Sequence, residues 1–237
     1  MTAIATQMSF AGAQPFARLP HNRTTQIDCV TQRLMTGTVR TLQAGQHIFR
    51  EGDSATQIYK VEQGCLSIYR LMPDGRRQII DFAYPGDLIG LGVAEEHATS
   101  AETLTLVRLR SFPVAALYQS ARNDVQLSSR LLELVSLELM AARRLLCALN
   151  RRSAGERVAS FLVDLSRRLE RNGGDPLRII LPMTRSDIGD LLGLTIETVS
   201  RTFSKFRRSG LIDLEQCTVV IIRDIQRLAE FANGGCD

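Results

Sequence analysis

The chain has 237 residues, 44% of them hydrophobic, so it is long and apolar enough to bury one large core or two small ones. No apolar run approaches the ~20 residues that span a bilayer, and the N-terminus lacks the basic start and apolar block of a signal peptide. These features predict a cytoplasmic protein without a membrane partner.

The net charge of +4 comes entirely from the C-terminal part of the chain. Of the 29 basic and 25 acidic side chains, 13 of each lie in residues 1–142, which leaves 16 basic and 12 acidic side chains in residues 143–237. An excess of positive charge in one part of a chain favours a polyanionic partner such as DNA.

The cysteine and histidine spacings do not indicate a metal site or an enzyme. The five cysteines are Cys29, Cys65, Cys147, Cys217 and Cys236, and the three histidines are His21, His47 and His97. No two cysteines have the CxxC spacing typical of zinc or iron–sulfur sites, and the histidines lack the His-x-His pair of a metal-dependent β-barrel enzyme. Catalytic motifs such as Gly-x-Ser-x-Gly or a Walker loop are also absent from the sequence. We therefore expect no metal, no cofactor and no enzymatic activity.

The first half of the chain predicts a small antiparallel β-barrel or roll. Residues 1–26 are predicted to form a mobile tail, and a short helix is expected from about Ile27 to Thr36. Short segments rich in β-branched or apolar residues then alternate with glycine-containing turns. The predicted strands are Thr38–Leu42, Gln46–Phe49, Gln57–Val61, Cys65–Leu71, Arg77–Phe82 and Leu104–Arg110. Strands at this regular spacing are typical of a barrel or roll.

The charges of this segment do not favour a bound phosphate. An anion site needs a cation or a group of backbone amides. No Lys or Arg lies between Arg77 and Arg108, whereas Asp and Glu occur there five times. The roll is therefore interpreted as a scaffold, or as a sensor of a molecule that the sequence does not identify.

A long helix is predicted from Val125 to Asn150, with two apolar stripes. The first stripe has the three-and-four spacing of a heptad seam and consists of Leu132, Val135, Leu139, Ala142, Leu146 and Leu149. The second consists of Leu127, Leu131, Leu134, Ala141, Leu145 and Ala148. Two stripes exceed what one packing partner requires, so we expect one stripe to pack on the roll and the other on a second copy of the chain. A single wide core face against the roll is the alternative. The sequence leaves open which stripe does which.

The remainder of the chain predicts a small α+β unit after a hinge at Asn150–Ser153. Its expected elements are a helix over Ala154–Arg171, strands over Leu177–Leu181, Leu211–Leu214 and Thr218–Ile222, and a closing helix over Asp224–Ala232. The last two strands would form a wing beside two short helices between Thr184 and Gly210.

Those two helices have the pattern of a helix–turn–helix. Thr184 is placed to cap the first helix, with Asp187 three residues on as in a capping box. Gly193 ends that helix where a left-handed residue is needed, and Thr195 can cap the second. The apolar stripe predicted for the second helix consists of Ile196, Val199, Phe203 and Phe206.

The opposite face of the second helix carries residues suited to DNA. Arg201 can donate two hydrogen bonds to guanine, Glu197 can accept one from the amino group of cytosine, and Ser200 lets the backbone approach. Lys205, Arg207 and Arg208 follow and are suited to phosphate contacts. An ordinary solvated surface helix is the alternative, but caps, turn and both faces together favour DNA recognition.

The segment Glu197–Arg201 resembles the recognition helix of the CRP/FNR family of bacterial transcription regulators. The FNR and FixK branches carry Glu-x-x-Ser-Arg there, whereas CRP proper has Gly in place of Ser200 and Arg in place of Ile196. The resemblance implies the half-site TTGA rather than GTGA. Thr184-Arg185-Ser186 is similar to the family's phosphate-contacting Thr-Arg-Gln segment, and Thr195 is assigned the same role. The likeness extends from about Cys29 to Ala232.

Two departures from the family pattern narrow the resemblance. FNR proper holds a [4Fe–4S] cluster through clustered N-terminal cysteines, but only Cys29 lies in that region here, which implies the cluster-free, FixK-like branch. In CRP, the segment that binds the phosphate of cyclic AMP has a Glu shortly after its PGDLIG-like turn and an Arg-Ser pair further on. Leu91-Gly92 and Ala98-Thr99-Ser100 stand in those places, so the resemblance does not imply cyclic nucleotide binding.

The resemblance implies an α+β chain with an antiparallel β-roll, a dimerisation helix and a winged helix–turn–helix. The predicted boundaries are a tail over 1–26, the roll over 27–124, the helix over 125–150 and the DNA-binding domain over 151–237. It also implies a homodimeric activator that binds double-stranded DNA at TTGA-N6-TCAA and contacts RNA polymerase. The genes that it regulates would serve low-oxygen metabolism, nitrogen fixation or denitrification. A CRP-type regulator gated by a small molecule in the roll is the alternative.

Overall fold

The computed structural model describes residues 29–92, 95–151, 153–216 and 218–234. The predicted tail and Cys217 therefore lie outside the described residues. In the first part of the chain the helices and strands are α1 (Cys29–Leu34), β1 (Thr38–Leu42), β2 (His47–Phe49), β3 (Gln57–Gln63), β4 (Leu66–Leu71), β5 (Arg77–Ala83), β6 (Leu88–Ile89), β7 (Ser100–Thr103), β8 (Val107–Pro113), α2 (Val114–Arg122) and α3 (Val125–Arg151). In the second part they are α4 (Ala154–Arg171), β9 (Arg178–Ile180), α5 (Arg185–Leu192), α6 (Ile196–Arg208), β10 (Ile212–Glu215), β11 (Val219–Ile222) and α7 (Ile225–Ala232).

The first eight strands form the predicted antiparallel roll. They make two four-stranded sheets, one in the order β1-β8-β3-β6 and the other in the order β2-β7-β4-β5. The apolar residues between the sheets are Leu42, Ile48, Phe49, Tyr59, Val61, Leu66, Ala83, Ile89, Ala101, Val107 and Leu109. The α+β class, the roll, the long helix and the C-terminal helix–turn–helix are thus confirmed.

The predicted strand Leu104–Arg110 is wrong in its first half. Strand β7 ends at Thr103 and β8 begins at Val107, so Leu104–Leu106 is a loop. The backbone N–H of Leu104 donates to the carbonyl of Cys65, and the Thr105 hydroxyl accepts from the N–H of Cys65. These two bonds join the loop to the turn before β4, in place of the regular hydrogen bonds between neighbouring strands.

The described histidines make contacts inside the roll. The ring of His97 is stacked on that of Phe49, with centroids 3.7 Å apart and planes 9° apart, and His97 is only 8% exposed. Nε2 of His47 lies 2.8 Å from the Tyr69 hydroxyl. Both imidazoles are therefore engaged within the protein, as expected for structural histidines.

The long helix α3 turns one of its two stripes inward. Leu127 and Leu131 are 2% and 8% exposed and pack with Val30, Leu34 and Leu117 of α1 and α2. In the other stripe Leu132, Val135, Leu139 and Leu146 are 47–68% exposed. The first part of the second stripe therefore packs on the N-terminal domain, whereas Ala141 is exposed and Leu145 packs against the apolar cluster that includes α4. None of the helices in the described part of the chain is long and apolar enough to cross a membrane.

The C-terminal unit combines helices α4 to α7 with the three-stranded sheet β10-β11-β9. The β10–β11 hairpin is the predicted wing, with Ile212 opposite Ile222. This unit shares one apolar cluster with the roll, since Cys65 and Phe82 pack with the side chains of α4. The rings of Phe82 and Phe161 meet edge to face, with centroids 6.4 Å apart.

The buried thiol of Cys65 is expected to make the protein less stable at alkaline pH. Burial raises the pKa of Cys65 from 9.0 to about 12. Between these pH values the unfolded chain loses the thiol proton and the folded chain keeps it, so stability falls as pH rises, by up to about 1.4 kcal/mol per pH unit. Urea unfolding from pH 8 to 11 should show a shallower fall for Cys65→Ala than for wild type. Cys147→Ala, which alters an exposed thiol, should retain the full slope.

Candidate nucleic-acid interface

The caps predicted for α5 are confirmed by its hydrogen bonds. The Thr184 hydroxyl accepts from the backbone N–H of Asp187, and the Asp187 carboxylate accepts from the N–H of Thr184 at 2.9 Å. Gly193 has φ +62° in the left-handed region, and its N–H donates to the carbonyl of Gly189. Thr195 then caps α6 by accepting from the N–H of Thr198. These bonds fix where each helix of the pair begins and ends.

The turn between the helices requires a residue without a side chain at Gly189. A Cβ atom added there would lie 2.6 Å from the backbone carbonyl oxygen of Leu194. Gly189 is not among the residues predicted to shape this turn, although a glycine inside a short amphipathic helix is a signal of close packing.

Gly189→Ala is expected to destabilise the DNA-binding unit. The added methyl group meets backbone, so overpacking of about 1–3 kcal/mol outweighs the gain of about 0.5–1 kcal/mol from the better helix former. Urea unfolding followed by circular dichroism measures the difference. Gly92→Ala is the matched control, because nothing lies within 4 Å of the Cβ position there, and it should unfold as wild type does.

Helix α6 has the two predicted faces, with one correction. Val199, Phe203 and Phe206 are at most 1% exposed. Ile196, assigned to the same stripe, is instead 48% exposed at the first turn of the helix. Thr195 and Glu197 on either side of it are exposed as well, so the domain leaves the start of α6 uncovered.

The polar face of α6 is exposed along its length. Glu197, Ser200 and Arg201 are all exposed, and a shallow groove on this face is lined by Thr198, Ser200, Arg201, Thr202, Ser204, Lys205 and Arg208. Nη2 of Arg201 donates to the Thr198 hydroxyl over 3.4 Å, which holds the guanidinium along the helix. Thr198 is not among the residues predicted for this face, and its three-residue spacing from Arg201 is the signal that indicates such a contact.

The carboxylate of Glu197 is suited to accept hydrogen bonds at neutral pH. Its own backbone N–H, the Thr195 hydroxyl and the positive charge of Arg201 lower its pKa below the ordinary value. Glu197 is therefore ionised and available to accept from an amino group.

The residues predicted to contact phosphates lie on α5 and α6. The guanidinium of Arg185 lies over the ring of Phe203, 3.8 Å from its centroid, so the first turn of α5 rests against the middle of α6. Ser186 and Arg208 are exposed. Nζ of Lys205 lies 5.6 Å from the ring centroid of Phe231. Thr184 and Thr195 are the N-cap residues of α5 and α6. The predicted residues are thus gathered around the helix pair.

Two models of known protein families match parts of this chain. Residues 156–231 match the model of the Crp-like helix-turn-helix domain, and residues 39–124 match that of the cyclic nucleotide-binding domain. The nitrogen fixation regulation protein FixK of Bradyrhizobium diazoefficiens is 44% identical over 169 residues, 71% of each chain. The FixK protein of Rhizobium meliloti is 38% identical over 195 residues, which cover 82% of this chain and 87% of that protein. The chain belongs to the CRP/FNR family, in its FixK-like branch.

The solved structure of FixK2 from Bradyrhizobium japonicum agrees with this assignment. It superimposes with a TM-score of 0.75 at 36% identity, covering 82% of this chain and 96% of that one. The transcriptional activator protein Anr of Pseudomonas protegens is 35% identical over 200 residues, 84% of this chain and 82% of that protein. The FixK-like chain is accordingly a DNA-binding transcription regulator, and its relatives are regulators rather than enzymes. In the described ranges, no three metal-ligating side chains come together.

Proposed function

We propose that this FixK-like chain is a homodimeric transcription activator that binds the palindrome TTGA-N6-TCAA through α6. The observation that carries the proposal is the exposure of Glu197, Ser200 and Arg201 on one face of a helix whose other face is buried. A major groove admits an α-helix presented in this way.

The proposed base contacts follow from the chemistry of each side chain. Arg201 donates two hydrogen bonds to the guanine of TTGA, and the ionised Glu197 accepts from a cytosine amino group. Ser200 is small enough to let the helix approach the bases. The exposed Ile196 offers an apolar contact to the methyl group of the first thymine of TTGA. GTGA begins with a G·C pair, which has no methyl group.

The proposed phosphate contacts surround these residues. They are Thr184, Arg185, Ser186, Thr195, Lys205 and Arg208. Hydroxyl groups, backbone amides at helix N-termini and basic side chains are the usual phosphate partners, and they fix the register of a helix in the groove.

The proposed dimer forms through the exposed stripe of α3. Leu132, Val135, Leu139, Ala142, Leu146 and Leu149 repeat every seven residues, and a second copy of the helix would bury them. A two-fold axis along parallel helices places both DNA-binding units at the same end of the dimer. Two α6 helices can then enter major grooves one duplex turn apart, ~34 Å, as a palindrome requires.

The remaining assignments rest on the resemblance. We propose a tail over 1–26, the roll over 27–124, the dimerisation helix over 125–150 and the DNA-binding domain over 151–237, in a cytoplasmic protein that contacts RNA polymerase. The names of the FixK relatives support genes of nitrogen fixation, and low-oxygen metabolism or denitrification belong to the same proposal.

A ligand-gated regulator is the second candidate, because the roll matches the cyclic nucleotide-binding domain model. The sequence supplies no Lys or Arg between Arg77 and Arg108 to hold a phosphate. The stacked rings of His97 and Phe49 also occupy space within the roll. We therefore favour DNA binding that needs no bound ligand.

Binding of the purified protein to a TTGA-N6-TCAA duplex in air, beside a GTGA-N6-TCAC duplex, tests the proposal. Selective binding to the first without any addition is the expected result. Binding that appears only with cyclic AMP or another small molecule would favour the second candidate. Failure on both duplexes under every condition would overturn the half-site assignment.

A further inference from the structure

The DNA-binding unit is held against the roll by a charged junction centred on Arg168 of α4. All three guanidinium nitrogens donate hydrogen bonds to the roll: Nε to Asp87 at 2.9 Å, and Nη1 and Nη2 to the two carboxylate oxygens of Asp81 at 3.1 Å each. Nη1 also donates to the carbonyl of Phe82 at 2.8 Å. The Arg168 side chain is 23% exposed and that of Asp87 11%. The bidentate pair with Asp81, whose side chain is 51% exposed, fixes direction as well as distance, and the pair with Asp87 is mostly buried.

The neighbouring residues extend this junction along the Pro85–Asp87 turn. Asn172, which ends α4, donates through Nδ2 to the carbonyl of Pro85 at 2.9 Å and to Asp87 at 3.3 Å. A Cβ atom at Gly86 would lie 2.6 Å from Asn172 Cγ, so a side chain there would displace the Asn172 side chain from these bonds. The glycine predicted for a tight turn of the roll thus serves a contact between the two units.

Two further contacts stop the DNA-binding unit from rotating about Arg168. The Tyr84 hydroxyl donates to the carbonyl of Ile180 on β9 at 3.3 Å. Nη2 of Arg77 donates to Asp187, the capping residue of α5, at 2.7 Å. Three separated points of contact, on α4, β9 and α5, define an orientation.

This orientation has a consequence for DNA binding that rests on the proposed function. The roll packs on Leu127 and Leu131 of α3, and α3 carries the proposed dimer seam. The position of α6 relative to the two-fold axis therefore depends on the contacts between roll and DNA-binding unit, beside the direct contacts of α3 with that unit, such as the 3.3 Å ion pair of Arg144 with Asp164. We propose that Arg168 is a positioning residue that sets the spacing between the two DNA half-sites. It acts on DNA through the orientation of α6.

The test uses duplexes with TTGA and TCAA separated by five, six, seven or eight base pairs, and a duplex with a single half-site. Fluorescence anisotropy gives the affinity of wild type, Arg168→Gln and the control Arg167→Gln for each. Arg167 is the adjacent residue on α4, is 55% exposed, and its Nη1 lies 3.9 Å from the carboxylate of Asp164 in the same helix. Wild type and Arg167→Gln should prefer one spacing by about tenfold or more.

Arg168→Gln should bind all four spacings within about threefold of one another, because the remaining apolar and polar contacts hold the unit against the roll without fixing the direction of α4. Its affinity for the single half-site should be unchanged, and Arg168→Lys should recover only part of the selectivity. Unaltered spacing preference in Arg168→Gln would overturn the inference. So would an equal loss on the single half-site, which would show that Arg168 merely supports the fold of the DNA-binding unit.

Small-angle X-ray scattering separates this inference from the proposed function. Loss of the Arg168 contacts should let the DNA-binding unit sample a wider range of positions against the roll, and so raise the radius of gyration of Arg168→Gln above that of wild type and Arg167→Gln. If wild type ignores the palindrome while this expansion occurs, the half-site assignment is wrong and the orienting role of Arg168 stands. An unchanged radius of gyration would count against the orienting role whatever DNA the protein binds.

Discussion

A glutamate in place of Leu139 is expected to convert the protein to a monomer and to weaken its binding to TTGA-N6-TCAA by a factor of about 100 or more. Leu139 is 50% exposed in the single chain and lies in the middle of the proposed seam. Burying one such leucine stabilises an interface by about 1.5–3 kcal/mol, and a buried unpaired carboxylate replaces that gain with a desolvation penalty. Two copies of the charge would face each other across the two-fold axis, which raises the effect further.

The neighbouring Met140 provides a matched control on the same helix. It is 52% exposed, and the heptad places it on the outer side of the seam. Met140→Glu should therefore remain dimeric and bind the palindrome as wild type does. Light scattering after size-exclusion chromatography gives the mass, and anisotropy gives the affinity. A dimeric Leu139→Glu variant would show that the seam lies elsewhere. Equal losses from both variants would point to damage to the helix itself.

Elements with strong local signals could be predicted from the sequence. Helix α4 has the predicted bounds, because a serine cap and a regular apolar face delimit it. The turn between α5 and α6 follows from Thr184, Gly193 and Thr195, whose roles depend only on near neighbours. The polar face of α6 was predictable for the same reason, since the helical period of 3.6 residues separates polar from apolar side chains along this segment.

Elements whose partners are distant in sequence could not be predicted. Strand β7 (Ser100–Thr103) has no apolar alternation, and its hydroxyls instead bond to distant loops, as when Thr103 donates to the carbonyl of Gln43 at 2.6 Å. Helix α2 begins after Pro113 without a capping side chain, so it has no start signal. The partners of Arg168 lie more than 80 residues away in sequence, and no local pattern distinguishes it from Arg167.

The exposure of Ile196 shows that the helical spacing of apolar residues can predict burial wrongly at the end of a helix. The three-residue spacing from Val199 places it in the apolar stripe, but a stripe is buried only where a partner covers it. At the first turn of α6 the proposed partner is DNA, so the residue belongs to the interface although its chemistry resembles that of the core.

Arg201→Ala is expected to remove most of the selectivity for the palindrome. A bidentate contact with guanine contributes about 1–3 kcal/mol, and a symmetric dimer loses two such contacts, about 2–6 kcal/mol in total. Affinity for random DNA should change far less, because that binding depends on the number of phosphates neutralised. Anisotropy titrations on the palindrome and on a random duplex of equal length measure both losses.

A base substitution distinguishes a contact with guanine from a contact with phosphate. In wild type, replacing the guanine of both TTGA half-sites should weaken binding by about 1–3 kcal/mol per half-site. In Arg201→Ala the same substitution should have little effect, because the side chain that detects the guanine is gone. Arg208→Ala is the control. Because Arg208 is a proposed phosphate contact, this variant should bind all duplexes more weakly and by the same factor. The slope of log affinity against log salt concentration should fall by about one ion per subunit. If Arg201→Ala instead behaves as Arg208→Ala does, Arg201 contacts the backbone and another residue of α6 recognises the guanine.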